Sequence, residues 1–168
     1  NKHVAFVRKN NIFIVDIEHP NDEVKVTTDG KFNEIINGIP DWVNEEEFSF
    51  NTAMTFNADG TKICWIRYDE SKVPVYSLQL FKGSYPEKDE YDKYPGLYSY
   101  KYPKAGQTNS SVSSYYYDLK SSQTHKIELP LDSDGYIPRI KPTDDASKVI
   151  LFTMNRHQNH LNIYSADL

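Results

Sequence analysis

A chain of 168 residues is long enough to enclose a hydrophobic core of its own. Its net charge of −5 disfavours nucleic acid, which needs a basic face, and no apolar run reaches the roughly 18 residues of a membrane-spanning helix. Aromatic residues make up 14% of the chain, enough area to bury to argue against disorder; with few helical periods they predict an all-β fold.

Strand-like runs cover residues 4–8 and 12–17, on either side of the turn Lys9-Asn10-Asn11, and 23–28, which ends at Asp29-Gly30. Residues 31–50 read as irregular, except that Pro40-Asp41 marks a helix start with Asp41 as N-cap. Runs at 53–57 and 62–68 flank Asp59-Gly60, and another covers 73–81. An insertion at 83–111 mixes Tyr85, Tyr91, Tyr94, Tyr98, Tyr100 and Tyr102 with Pro86, Pro95 and Pro103. Proline keeps this segment from being a central strand, so it reads as a packed surface loop or as a contact surface for another chain. Runs at 113–119 and 125–129 form a pair, and 139–142, 148–154 and 161–166 complete the series. The first run opens directly after Asn1 and the last closes just before Leu168, so both ends read as cut.

One pattern recurs. A polar turn delivers a lysine and then an almost wholly apolar strand: Lys62-Ile63-Cys64-Trp65-Ile66, Lys148-Val149-Ile150-Leu151-Phe152, and Lys2-His3-Val4-Ala5-Phe6-Val7 without its turn. Such strands are expected to be buried on both faces, with a more alternating strand following each. That is the order of an inner strand with hairpins running outward in a propeller blade. The lysines are 60 and 86 residues apart, so blades of about 40–50 residues require insertions, which fit 32–50 and 83–111. A generic antiparallel sandwich is the competing architecture.

Isolated residues offer weaker signals. Cys64, the only cysteine, lies in an apolar strand and reads as a small buried hydrophobe. His157 and His160 fall in a turn rather than on a helix, where no metal is expected to bind. Asn109-Ser110-Ser111 is formally a glycosylation sequon. Tyr115-Tyr116-Tyr117 is expected to pack between blades. No G-x-S-x-G is present, so the chain has no nucleophile elbow and is expected to bind rather than catalyse. Glu45-Glu46-Glu47, taken alone, reads as a solvated charge run.

Three segments in order carry a family resemblance over essentially the whole chain. Asp41-Trp42-Val43-Asn44-Glu45-Glu46-Glu47-Phe48 resembles the DWVYEEE motif of dipeptidyl peptidase IV-type serine peptidases, with Asn44 where that motif has Tyr. Tyr102-Pro103-Lys104-Ala105-Gly106 matches the YPKAG that follows the extended arm of their propeller. Tyr136-Ile137-Pro138-Arg139-Ile140-Lys141 and Asn155-Arg156-His157-Gln158-Asn159 are similar to a later blade of the bacterial members. The resemblance implies an eight-bladed β-propeller capping an α/β-hydrolase domain that is absent here, with about three antiparallel blades in this chain. It implies an enzyme that releases Xaa-Pro or Xaa-Ala dipeptides from free N-termini, requires no cofactor, and resides outside the cytoplasm of a bacterium. It also implies homodimerisation through the arm at 73–102. Aligned on Asp41-Trp42-Val43, the family's amine-binding acids fall on Glu46 and Glu47. Aligned from Asp59-Gly60, they fall on Glu45 and Glu46. Trp42 is expected to pack the turn against its blade.

Physical chemistry supports a role for the acids. A protonated α-amine carries one charge and three N–H donors, which two carboxylates can accept and compensate. On a strand, adjacent side chains diverge; on a helical turn they lie about 100° apart and can converge on one amine. The helix dipole is expected to favour acids in the first turn and offset their repulsion. The competing function is a non-enzymatic propeller that binds protein partners through its Tyr-rich arm.

Overall fold

The computed structural model describes residues 2–84, 91 and 93–168; Asn1, Tyr85 and Pro86 from the reading above lie outside them. The chain is all-β with antiparallel sheets and one short helix. The first sheet orders β1 (His3–Arg8), β2 (Asn11–Asp16) and β3 (His19–Lys25) in sequence. Lys9 and Asn10 both take positive φ, 51° and 60°, as a two-residue hairpin turn requires to match strand twist. β3 starts earlier than the sequence suggests, because His19 already pairs with Asp16; it is an exposed edge strand, which tolerates Pro20.

The second sheet is built on β6 (Lys62–Asp69). β9 (Ser111–Asp118) pairs with one side of it along its full length, and β10 (Gln123–Ile127) pairs with β9. The other side of β6 takes two short strands: β5 (Met54–Phe56) opposite Ile63–Trp65 and β4 (Ile35–Asn37) opposite Arg67–Asp69. These are halves of one interrupted strand. At the break, the Gly38 amide donates to the Ile66 carbonyl, the Ala53 amide to the Gly38 carbonyl, and the Ile66 amide to the Ala53 carbonyl. Residues 39–52 leave and re-enter the sheet at this point, carrying helix α1 (Trp42–Phe48). Gly38 has φ +78°, and a Cβ there would meet the Ile12 side chain at 2.9 Å, so the exit requires glycine.

The third sheet is β11 (Tyr136–Pro142), β12 (Lys148–Met154) and β13 (Leu161–Asp167), in order. Between β6 and β9 the chain makes a ribbon of two strands, β7 (Val75–Leu80) and β8 (Gly96–Lys101), which among the described residues pair only with each other. The proline-rich insertion thus contains a strand, kept outside the main sheets.

The apolar residues of β6 divide between two cores. Ile63 and Trp65 pack with Ile12, Ile14, Val26 and Tyr117, toward the first sheet. Cys64, Ile66 and Tyr68 pack with Ile137, Ile140, Val149 and Leu151, toward the third. A sheet covered on both sides needs an apolar residue at every position of its central strand, which explains the unbroken run after Lys62. Two expectations are corrected. Within these 168 residues the strands after Lys2 and Lys148, each facing one neighbouring sheet, are not buried on both faces: β1 has no fully buried residue, and β12 buries alternate residues, Val149, Leu151 and Thr153. Nor is β6 the innermost strand of its sheet, since β4 and β5 lie beyond it.

No helix among the described residues is long and apolar enough to cross a membrane. Burial pushes the Cys64 thiol up to about 12, in keeping with a packing role. Tyr115 stacks on Trp65 and Tyr116 on His125.

Candidate functional site on the interrupted strand

Helix α1 begins as its sequence predicts. Asp41 is the N-cap, in extended conformation, and its Oδ1 accepts hydrogen bonds from the Asn44 amide at 2.9 Å and from Asn44 Nδ2 at 2.7 Å. Its Oδ2 accepts a hydrogen bond from the Ser110 hydroxyl, at the entry to β9. Asp41, Asn44 and Ser110 are all buried. Two other atoms at this end are buried without a partner, Asn44 Oδ1 and the Tyr68 hydroxyl. Burial pushes the Tyr68 phenol well above its ordinary range, and the charge on Asp41 adds to the shift. Glu70, at the root of the ribbon, is pushed up to about 7 by burial and then by Asp41, against the pull of Lys101.

Trp42 packs beside the ribbon. Its ring lies 4.1 Å, centroid to centroid, from that of Tyr102, and it is 39% exposed. It contacts the base of the ribbon, because position 42 lies on the side of the helix away from buried Asn44. Tyr102 in turn contacts Tyr76 and Tyr100, so aromatic packing runs from α1 into the ribbon.

The other end of the helix is different. Only Glu45 lies in the first turn; Glu46 and Glu47 lie in the last, which has no basic residue. The dipole therefore opposes these two carboxylates, contrary to the expectation from a helix start, because the acids come five and six residues after the cap. All three glutamates are exposed. With Asn44 facing the core, the helical period turns Glu46 almost directly outward and places Glu45 and Glu47 on its two flanks. Glu45 and Glu46 line an open cleft of about 490 Å³ with Ser49, Phe50 and Asn51. Glu47 faces the turn between β12 and β13, with Gln158 Nε2 at 3.5 Å from its Oε2, a weak contact. Glu46 is thus flanked by a carboxylate on each side.

The chain leaves the helix through Ser49 in the left-handed region, φ 50°. Arg139, 91 residues further along on β11, donates from Nη2 to the Phe48 carbonyl at 2.5 Å. Its guanidinium carbon lies 5.2 Å from the Phe50 ring centroid, and Phe48 meets Tyr136 edge to face at 5.2 Å.

The protein-family model for the dipeptidyl peptidase IV N-terminal region matches residues 1–168. The chain belongs to that family. The crystal structure of Porphyromonas gingivalis dipeptidyl peptidase 4 superposes with a TM-score of 0.88 at 44% identity, over 98% of this chain and 22% of that one. "Probable dipeptidyl-aminopeptidase B" of Phaeosphaeria nodorum is 33% identical over 98% of this chain and 19% of its own length. Its namesake in Uncinocarpus reesii is 36% identical over 98% of this chain and 18% of its own length. The chain therefore spans about a fifth of the length of these dipeptidyl peptidase IV relatives.

Within this N-terminal region of the dipeptidyl peptidase IV family, sequence reasoning missed Arg139, Gln158 and Ser110 as neighbours of the helix. Arg139 had one available signal: it is the lone charge among the buried residues Tyr136, Ile137, Pro138 and Ile140. Ser110 carried none, since its contact with Asp41 spans 69 residues. The formal sequon at Asn109 is structurally engaged, with Asn109 Nδ2 donating to the Tyr136 hydroxyl at 2.7 Å and Ser110 buried. No group of three or more candidate metal ligands occurs among the described residues.

Proposed function

We propose that this chain is the substrate-recognition part of a dipeptidyl peptidase IV-like serine exopeptidase, in which Glu46 and Glu47 hold the α-ammonium of the substrate. The observation that carries the reading is the exposed last turn of α1, where adjacent carboxylates project from a helix whose opposite face is buried. An ammonium with three donors and one charge satisfies such a pair. An N-acylated peptide loses the charge, keeps at most one N–H donor and adds bulk, and is refused. Glu45, which shares the cleft with Glu46, is the reserve partner.

On this reading the three sheets are blades of an eight-bladed propeller, and the ribbon with its flanking segment, 83–111, is an extended arm. The parent's α/β-hydrolase domain supplies the nucleophilic serine and the histidine base, and Xaa-Pro or Xaa-Ala dipeptides are released outside the cytoplasm. This chain without that domain is inactive. The arm contributes to a homodimer: Val75, Tyr76, Leu78, Leu97 and Tyr98 are exposed apolar residues on its two strands.

The same exposed ribbon favours a second reading, a non-enzymatic module that binds protein partners. The parent sequence separates the two, since a parent without an α/β-hydrolase domain and its G-x-S-x-G serine leaves only the second. The glutamate assignment is tested in the full-length parent by comparing kcat/KM of Glu46→Gln and Glu47→Gln on a free-amine Xaa-Pro substrate. A large loss in each supports it, and normal activity in both removes it.

A further inference from the structure

Helix α1 is a poor helix on its own terms. Seven residues are too few to hold a helix in water, and this one has acids in its negatively charged last turn with no base there. Its final carbonyls have no partners within the helix and need outside donors. The donor comes from β11. Between Tyr136 and Arg139 the register with β12 shifts: Tyr136 pairs with Met154, but Arg139 pairs with Phe152. The extra residue is a bulge, a device that re-aims a side chain out of the ladder. Here it accompanies the one charged side chain of an otherwise buried stretch, which reaches the end of α1. Arg139 donates to the Phe48 carbonyl from Nη2 and to the Pro138 carbonyl from Nη1, at 2.5 and 2.6 Å, with its guanidinium over the Phe50 ring. The fork therefore fixes the residue after Glu47 by its carbonyl, and the residue two beyond that by its ring.

We propose that Arg139 is a positioning residue for recognition of the substrate amine. It locks the last turn of α1 and thereby sets the spacing of the Glu46 and Glu47 carboxylates, without touching the substrate itself. The inference rests on the reading of Glu46 and Glu47 given above. A lysine replaces it only in part, because an ammonium on a flexible stem can donate to the carbonyls but cannot lie flat on the ring as a planar guanidinium does.

The test uses the full-length parent with Arg139→Met, Arg139→Lys, Glu46→Gln and the double variant Arg139→Met/Glu46→Gln. KM and kcat are measured on a free-amine Xaa-Pro chromogenic substrate. In parallel, the rate at which an organophosphonate labels the active-site serine reports the hydrolase domain, because that reagent has no amine to bind. The expected result for Arg139→Met is a KM raised about tenfold or more, kcat within about threefold, and an unchanged labelling rate. Arg139→Lys falls in between. In the double variant, Arg139→Met raises KM by less than about twofold over Glu46→Gln alone. A normal KM in Arg139→Met beside a raised KM in Glu46→Gln overturns this inference and leaves the glutamate reading intact. Equal losses in KM, kcat and labelling overturn it too, since they mark a general loss of structure. Normal KM in both Glu46→Gln and Glu47→Gln sinks both. If Arg139→Met does not fold, Arg139→Lys decides by the same criterion of KM against labelling.

Discussion

The two ends of helix α1, six residues apart at Trp42 and Phe48, obey different rules. At the N-terminal end the polar contacts point inward: Asp41 accepts three hydrogen bonds from buried donors, and Asn44 fills the space beneath the turn. At the C-terminal end, adjacent carboxylates face outward against the dipole, and the turn is closed by an arginine from another sheet. The first arrangement is what a helix needs in order to form. The second costs stability, and such local conflicts are expected where a surface is shaped for a ligand. The difference teaches that one short helix can be anchored by one end and presented by the other.

The sharpest break of the anchored end is Asp41→Ala. It removes a cap worth about 1 kcal/mol and leaves the Ser110 hydroxyl and the Asn44 amide buried without an acceptor, at about 1–3 kcal/mol each. A loss of roughly 3 kcal/mol or more is expected, read as a lower urea midpoint at constant m. At the presented end, Glu46→Gln is expected to lower the parent's kcat/KM roughly 100-fold, about 2.7 kcal/mol, while leaving the urea midpoint unchanged. Equal effects of both substitutions on stability and activity would erase the distinction between the ends.

A smaller effect comes from pH. The Glu70 carboxyl is raised to about 7 in the folded chain from an ordinary value of 4.5. Between those values the folded state keeps a proton that the unfolded state has lost. Its contribution is therefore fully present below about pH 4.5, falls as pH rises, and is gone above about pH 7. Glu70→Gln is expected to flatten this fall, making the protein more stable than wild type at pH 8 by of order 1 kcal/mol after solvent screening, and no more stable at pH 4. Urea midpoints at the two pH values decide it. The smallest change is expected from Tyr68→Phe, which deletes a buried hydroxyl without a partner. Stability should be equal or higher by up to about 1 kcal/mol, and a clear loss would mean the hydroxyl is satisfied.

Much of the anchored end was legible in the sequence, because a cap is a local signal: Pro40 followed by Asp41 announces the helix whatever lies around it. β6 was legible because its wholly apolar run reports burial on both faces. In β1 and β12 the same run meets one neighbouring sheet within this chain, so one face of each is less buried here. β4 was missed because Ile35, Ile36 and Asn37 are too few to show a period. Trp42 was read as packing its turn, but its partner Tyr102 lies 60 residues on, and Arg139 reaches Phe48 across 91 residues. Such pairings are set by the path of the chain, which no window of neighbouring residues records.

The interrupted strand separates the helix from the register of the sheet. Both feet of the excursion at 39–52 are tied to a single residue, Ile66, so β4 and β5 keep their partners on β6 whatever lies between the feet. What lies between the feet is held instead by its own ties, Asp41 to Ser110 and the Phe48 carbonyl to Arg139, so the pose of the carboxylates is set by side-chain contacts outside the ladder. Strand register and carboxylate pose are thus governed separately, the one by pairing with β6 and the other by clamps from Ser110 and from β11.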